Sequence, residues 1–284
     1  MIPTRSSRFT AVFTLALLLA GAWVVAGELP PGEVVEVAFP VMAVPPSLYS
    51  MIMETQVSPT LTYRLPDGYD PQRRYPLLVY VPGFHGGASG NIGNALTIAG
   101  REDWVVASLP LFKSTVDREE IGGGMLIGFQ DYRTLSKAYA TMLSRLFELV
   151  PNIDAERSAM VGFSNGALAI AVLVSNHDEF VLSHFRNFCF VDHGMFHLSD
   201  LYKRRARDSR YIVLSGDDRT DPGRDLKIRA GRLLEDSWRM LGVDISFHVM
   251  ADTGHEFKDR HMALVGRWLR HEPFTEDEVQ SLGP

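Results

Sequence analysis

The feature that most constrains the fold of this chain is an apolar strand that passes through a tight glycine-containing turn directly into an apolar helix. The strand is predicted at residues 158–161, the turn is Gly162-Phe163-Ser164-Asn165-Gly166, and the helix follows at 167–174. Such a turn forces a strained backbone on its central residue, which small neighbours permit, and it lifts the serine hydroxyl above the sheet. The segment therefore predicts a parallel sheet with an exposed serine at the end of one strand.

The rest of the chain alternates strand-like and helix-like segments. Further strands are predicted at 33–43, 60–65, 76–81, 104–109, 188–191, 211–214 and 245–250, and further helices at 132–150, 228–241 and 256–270. Several of these strands are continuous apolar runs, which are typical of strands covered on both faces. The alternation predicts the α/β class, with a mostly parallel central sheet and helices on both faces.

The N-terminus has the pattern of a secretory signal peptide. Arg5 and Arg8 precede an apolar stretch at 9–25, and Val24-Val25-Ala26 suits cleavage after Ala26. The stretch is short for a membrane span, which needs ~20 residues. We therefore predict a cleaved signal at 1–26, a secreted or periplasmic protein with no stable membrane anchor, and a single domain at 27–284. An uncleaved anchor is the alternative.

Composition excludes several classes of partner. The net charge of −6 gives no basis for binding nucleic acid, which needs concentrated Lys and Arg. The histidines lack metal-ligand spacing, and no glycine-rich phosphate fingerprint follows the first strand, so neither a metal nor a cofactor is expected. The only cysteine, Cys189, lies in an apolar run and is interpreted as a small core residue.

Ser164 needs a base, because a serine hydroxyl is a poor nucleophile at neutral pH. His255, within Thr253-Gly254-His255-Glu256, lies in the loop after the last predicted strand. That position places the imidazole at the same edge of the sheet as the serine. The order of the chain, with the histidine last, also fits a triad in which an acid lies between them.

The acid is predicted from the loop after the strand at 211–214. Asp218 is the preferred candidate, Asp221 is the alternative, and Asp217 is expected to cap the turn. Asp192, after the preceding strand, is an outside candidate.

Two backbone N–H groups are expected to form an oxyanion hole. One belongs to Asn165, the residue after the nucleophile, and the other to Phe84 in the glycine-rich loop at 81–87.

These ordered motifs resemble one family. Tyr63-Arg64-Leu65-Pro66-Asp67-Gly68-Tyr69, Pro82-Gly83-Phe84-His85-Gly86-Gly87, the turn at Ser164 and Gly254-His255-Glu256-Phe257 are similar to motifs of secreted esterases related to polyhydroxybutyrate depolymerases and feruloyl esterases. The resemblance covers about 60–269. This chain has Pro82-Gly83 where the family has His-Gly, and Arg219 where the family tends to place its acid.

The resemblance implies an α/β-hydrolase fold and hydrolysis of a carboxylic ester, either a small molecule or a polymer. Two alternatives remain open: a serine peptidase of the prolyl oligopeptidase type, and a non-catalytic binding protein on the same scaffold. No feature of the sequence indicates an oligomeric state.

Overall fold

A computed structural model describes most of the chain beyond the N-terminal segment. The described residues are 30–40, 58–83, 90, 92–112, 127–193, 206–218, 220, 223–280 and 282–283. The predicted signal peptide at 1–26 lies outside them. Among the described residues, no helix combines the length and the apolar character needed to cross a membrane.

In the described part of the chain, nine strands form one sheet in the order β1-β2-β4-β3-β5-β6-β7-β8-β9. They are β1 Val34–Ala38, β2 Thr60–Arg64, β3 Leu77–Val81, β4 Val105–Ser108, β5 Ala159–Phe163, β6 Asn187–Val191, β7 Arg210–Gly216, β8 Asp244–Met250 and β9 Leu282–Gly283. Strands β3 to β8 are mutually parallel. β1 and β2 add antiparallel strands at one edge, and β9 adds one at the other. The predicted α/β class and mostly parallel sheet are confirmed.

Helices cover both faces of this sheet. They are α1 Ile92–Ala99, α2 Tyr132–Leu149, α3 Asn165–Ser175, α4 Glu179–His184, α5 Arg224–Met240, α6 Asp259–Leu269 and α7 Glu276–Gln280. Helices α1 and α6 pack together over one face, and α2 to α5 contribute to the larger core on the other. Both faces of the central strands are thus closed to water, which explains their continuous apolar sequences.

Helix α3 is buried along its whole length. It lies against β3, β5 and β6 and is covered in turn by α2 and α4. This position explains why residues 167–174 are apolar on every side of the helix rather than on one stripe. The helix that follows Ser164 is therefore fixed by the core.

The structure contains elements that the sequence patterns did not reveal. Helices α1, α4 and α7 and the two-residue β9 are all short, and a short element shows too few repeats of its period to be recognised. Helix α6 begins at Asp259 rather than at 256, because the residues directly after His255 form a loop. Helix α5 begins at Arg224, one turn before its expected start.

Candidate active site

The turn between β5 and α3 holds Ser164 in a strained conformation. Its φ of 54° and ψ of −120° are unusual for a residue with a side chain. The strain persists because the strand on one side and the buried helix on the other fix both ends of the turn. Ser164 is 5% exposed, and its N–H donates to the carbonyl of Val191 over 2.8 Å.

Two glycines allow the chain to pack this tightly. A Cβ atom at Gly162 would lie 2.6 Å from the backbone nitrogen of Ala167. One at Gly166 would lie 2.2 Å from the carbonyl oxygen of Val81, at the end of β3. Contacts this short do not occur in stable structures, so the turn requires glycine at both positions.

His255 lies in the loop between β8 and α6, with its Nε2 atom 2.8 Å from Ser164 Oγ. The carboxyl ends of β5 and β8 lie at the same edge of the sheet because the two strands are parallel. The imidazole side chain is 54% exposed, and the ring of Phe163 lies beside it with 5.1 Å between ring centroids. The structure thus brings the predicted nucleophile and the predicted base into hydrogen-bonding contact.

The partner of His255 on its other side is Asp192, the residue directly after β6. His255 Nδ1 is hydrogen-bonded to Asp192 Oδ2. The second carboxylate oxygen accepts the N–H of Gly216 over 3.1 Å, and the backbone N–H of Asp192 donates to Leu214 over 2.7 Å. The carboxylate is 6% exposed. It is therefore a fixed acceptor that orients the imidazole.

This contact differs from the expectation, which placed the acid in the loop after β7. Asp218, the preferred candidate, accepts hydrogen bonds from the N–H and the hydroxyl of Thr220, over 2.8 and 2.6 Å. Asp217 forms an ion pair with Arg224. Asp221 lies outside the described residues.

Asp192, at the end of β6, takes the position expected for an aspartate after β7, because the two strands are parallel neighbours that end at the same edge of the sheet. The sequence signal that could have identified this partner of His255 was Asp192 itself, the single aspartate directly after the apolar strand at 188–191.

Of the two expected oxyanion donors, Asn165 lies within the described residues and Phe84 does not. Asn165 is fully buried at the first position of α3, where the helix dipole places partial positive charge next to the nucleophile. Its side-chain oxygen accepts the N–H of Ile127 over 2.9 Å, which fixes the residue in place.

Other reactive groups in the described part of the chain do not form a second centre. Burial raises the pKa of the Cys189 thiol, so the sulfur stays protonated and unreactive. The described residues contain no cluster of three or more His, Cys, Asp or Glu side chains that could hold a metal ion.

Comparison with known proteins identifies the fold of this chain but no family. No family model matches the sequence, and no curated protein matches it. Among solved structures, the chain is similar to a thermostable esterase at 18% identity and a TM-score of 0.53, over 84% of this chain and 62% of the esterase. It is also similar to a Bacteroides ovatus protein named as a dipeptidyl aminopeptidase IV, at 13% identity and a TM-score of 0.50, over 85% of this chain and 36% of that protein.

The chain thus spans about three fifths of the esterase and about a third of the Bacteroides protein. At such low identity these likenesses show the fold alone, and that fold is the α/β-hydrolase fold.

Proposed function

We propose that this protein is an exported serine esterase that hydrolyses carboxylic esters through Ser164, His255 and Asp192. The observation that carries the proposal is the position of His255, which contacts Ser164 through one ring nitrogen and Asp192 through the other. A base held between a nucleophile and a buried acid is the arrangement that activates a serine hydroxyl.

In the proposed reaction, Ser164 Oγ attacks the ester carbonyl carbon while its proton moves to His255 Nε2. Asp192 keeps the Nδ1 proton of His255 in place and stabilises the imidazolium that forms. The negative charge on the carbonyl oxygen is stabilised by the N–H of Asn165 at the start of α3 and by a second donor, for which Phe84 remains our candidate. His255 then protonates the leaving alcohol, and a water molecule releases the acid from the acyl-serine by the same steps.

An ester is favoured over a peptide as the substrate because the sequence motifs resemble those of secreted esterases. We propose the esters of small or polymeric hydroxy acids and of aromatic acids as the class to test. The predicted signal peptide supports action outside the cytoplasm.

The first test is hydrolysis of short p-nitrophenyl esters together with labelling by a fluorophosphonate. The native protein should show both, and Ser164→Ala should lose labelling and lower kcat by about 10³-fold or more while remaining folded. Near-normal turnover by the folded variant would remove Ser164 from the mechanism.

The second test is a panel of acetyl, feruloyl and hydroxybutyryl esters beside dipeptidyl amides. Esterase activity predicts turnover of at least one ester and little turnover of the amides. Faster cleavage of the amides would identify a peptidase, and absence of both turnover and labelling would identify a binding protein on a hydrolase scaffold.

A further inference from the structure

Helix α5 presents an apolar stripe to solvent. Leu226 is 73% exposed, Leu233 is 69% exposed and Met240 is 83% exposed. The three residues are spaced seven apart along the helix, so they lie nearly in line on one side of it. Single exposed apolar side chains are ordinary, but three of them in line on one helix suggest a surface that another molecule could cover.

The stripe faces away from the core. Helix α5 packs on β7 and β8, and its fully buried residues are Gly231 and Trp238. At about 100° of rotation per residue, Leu233 lies on the side of the helix opposite Gly231. The stripe therefore has no role in holding α5 to the sheet, and its apolar character is unexplained by the packing of the monomer.

The two flanks of the stripe differ in chemistry. Arg229 and Asp236 are exposed on one flank, and the small residues Ala230 and Ser237 lie on the other. Arg229 and Asp236 are seven residues apart, too far along the helix for the neighbouring contact that residues three or four apart make. Within the described part of the chain, neither has an ion-pair partner.

These positions are self-complementary about Leu233. A two-fold axis through Leu233, perpendicular to the helix, would place Met240 of one copy opposite Leu226 of the other. Under the same rotation, the charged flank of one copy faces the charged flank of the other. Measured along the helix axis, Asp236 of one copy then lies within about 1.5 Å of Arg229 of the other. Ala230 would then face Ser237, and both are small enough for the two helices to approach closely.

We propose that α5 is a homodimer interface, in which two copies of this chain pack α5 against α5 in antiparallel orientation. The partner is a second copy because a 180° rotation of α5 places each of these side chains opposite one of opposite charge or similar size. A two-fold interface requires this kind of self-complementarity. The contact contains Leu233 against its own equivalent at the centre, two Leu226–Met240 contacts, and two Arg229–Asp236 ion pairs at one flank.

The size of the contact limits its strength. One pair of helices of this length buries less than the ~1,600 Å² of a standard stable interface. We therefore expect a reversible dimer with a Kd of about 1 to 100 μM, typical of small interfaces with few anchor residues.

The experiment is sedimentation of the full-length mature protein over a concentration range that spans this Kd, comparing native chain, Arg229→Glu and Asp236→Arg. The native chain should dimerise as its concentration rises. Each variant places like charges opposite each other at both symmetric contacts, so each alone should stay monomeric or show a Kd raised about tenfold or more.

Mixing the two variants provides the decisive outcome. One variant then carries two carboxylates at these positions and the other carries two cations, so both ion pairs form in the mixed dimer. A mixture that dimerises near the native Kd, while neither variant does so alone, identifies the proposed pairing, since general damage to α5 would not be reversed by mixing.

Arg232→Glu is the matched control, because Arg232 is exposed on the same helix but lies about 100° around it from Leu233, beyond the charged flank. It should dimerise like the native chain, whereas Leu233→Glu should not dimerise. A native chain that is monomeric throughout, or a dimer that survives Leu233→Glu and both charge reversals, would overturn the proposal.

Discussion

Asp192 is the residue whose role depends most on its surroundings. Its two carboxylate oxygens have different partners, His255 on one side and the N–H of Gly216 on the other. The second contact fixes the carboxylate plane, so the hydrogen bond to the imidazole has one orientation. A carboxylate held in this way is a positioning group for the proposed base.

This role predicts unequal effects of two isosteric substitutions. Asp192→Asn keeps the shape but removes the charge and disturbs the imidazole tautomer, so kcat on a p-nitrophenyl ester should fall by about 10⁴-fold, as in other triads. Asp218→Asn is the matched control and should lower kcat by less than about tenfold, because Asp218 bonds to Thr220 instead of His255. A severe loss of kcat in Asp218→Asn, with a near-normal kcat in Asp192→Asn, would instead identify the acid as a residue of the loop after β7.

At the scale of elements, the site depends on how closely β3, β5 and α3 pack. The carbonyl oxygens of Val81 and Pro82 lie against Gly166, and the ring of Phe163 lies against Gly83. The contacts at Gly166 are made by backbone atoms, which cannot move without displacing a strand, and the contact at Gly83 is made by the partly buried ring of Phe163. The turn that holds Ser164 is therefore supported by the end of the neighbouring strand.

Gly166→Ala tests this packing. The added methyl would meet two backbone carbonyls, so the free energy of unfolding should fall by about 1–3 kcal/mol or more, despite the better helix propensity of alanine. Gly68→Ala is the control, since a Cβ at Gly68 has no neighbour within 4 Å. Denaturant unfolding measures both, and equal midpoints for the two variants would contradict the close approach.

At the scale of the whole molecule, stability should depend on pH through His248 of β8. Burial lowers the pKa of His248 to about 4, and the charges of Arg239 and Arg232 act in the same direction. Its Nε2 atom is buried without a hydrogen-bond partner in the described part of the chain, so the neutral ring is the form that fits. Between pH 6.5 and about 4, the unfolded chain binds a proton that the folded chain does not.

Protonation of the unfolded chain therefore destabilises the fold as the pH falls, by up to about 3 kcal/mol at pH 4. His248→Gln binds no proton, so its stability should fall less over this range than that of the native protein. Thermal or urea unfolding at several pH values provides the comparison. Parallel stability profiles for the two proteins would show that His248 is not the group responsible.

Export is also a property of the whole molecule. If residues 1–26 are a cleaved signal, the N-terminal sequence of the exported protein should begin at Gly27 or within a few residues of it. Edman sequencing or intact mass measures this directly. Membrane-bound material that retains Met1 would indicate an anchor instead.

The sequence alone determined the architecture, because its signals are local. The apolar runs of the central strands, the periodicity of α2 and the glycines around Ser164 each reflect what a short segment must bury or which backbone angles it must adopt. The sequence also pointed to Ser164, which directly follows β5, and to His255, which lies in the loop between β8 and α6.

Only the tertiary structure decided which aspartate contacts His255. Asp192, Asp217 and Asp218 all follow parallel strands that end at one edge of the sheet, and the chain gives each a similar local pattern. The choice depends on how β6 and β7 lie beside each other and on the approach of Gly216 to the carbonyl oxygen of Gly254, which brings the histidine loop over the end of β7. Such contacts join residues distant in sequence, and no local pattern encodes them.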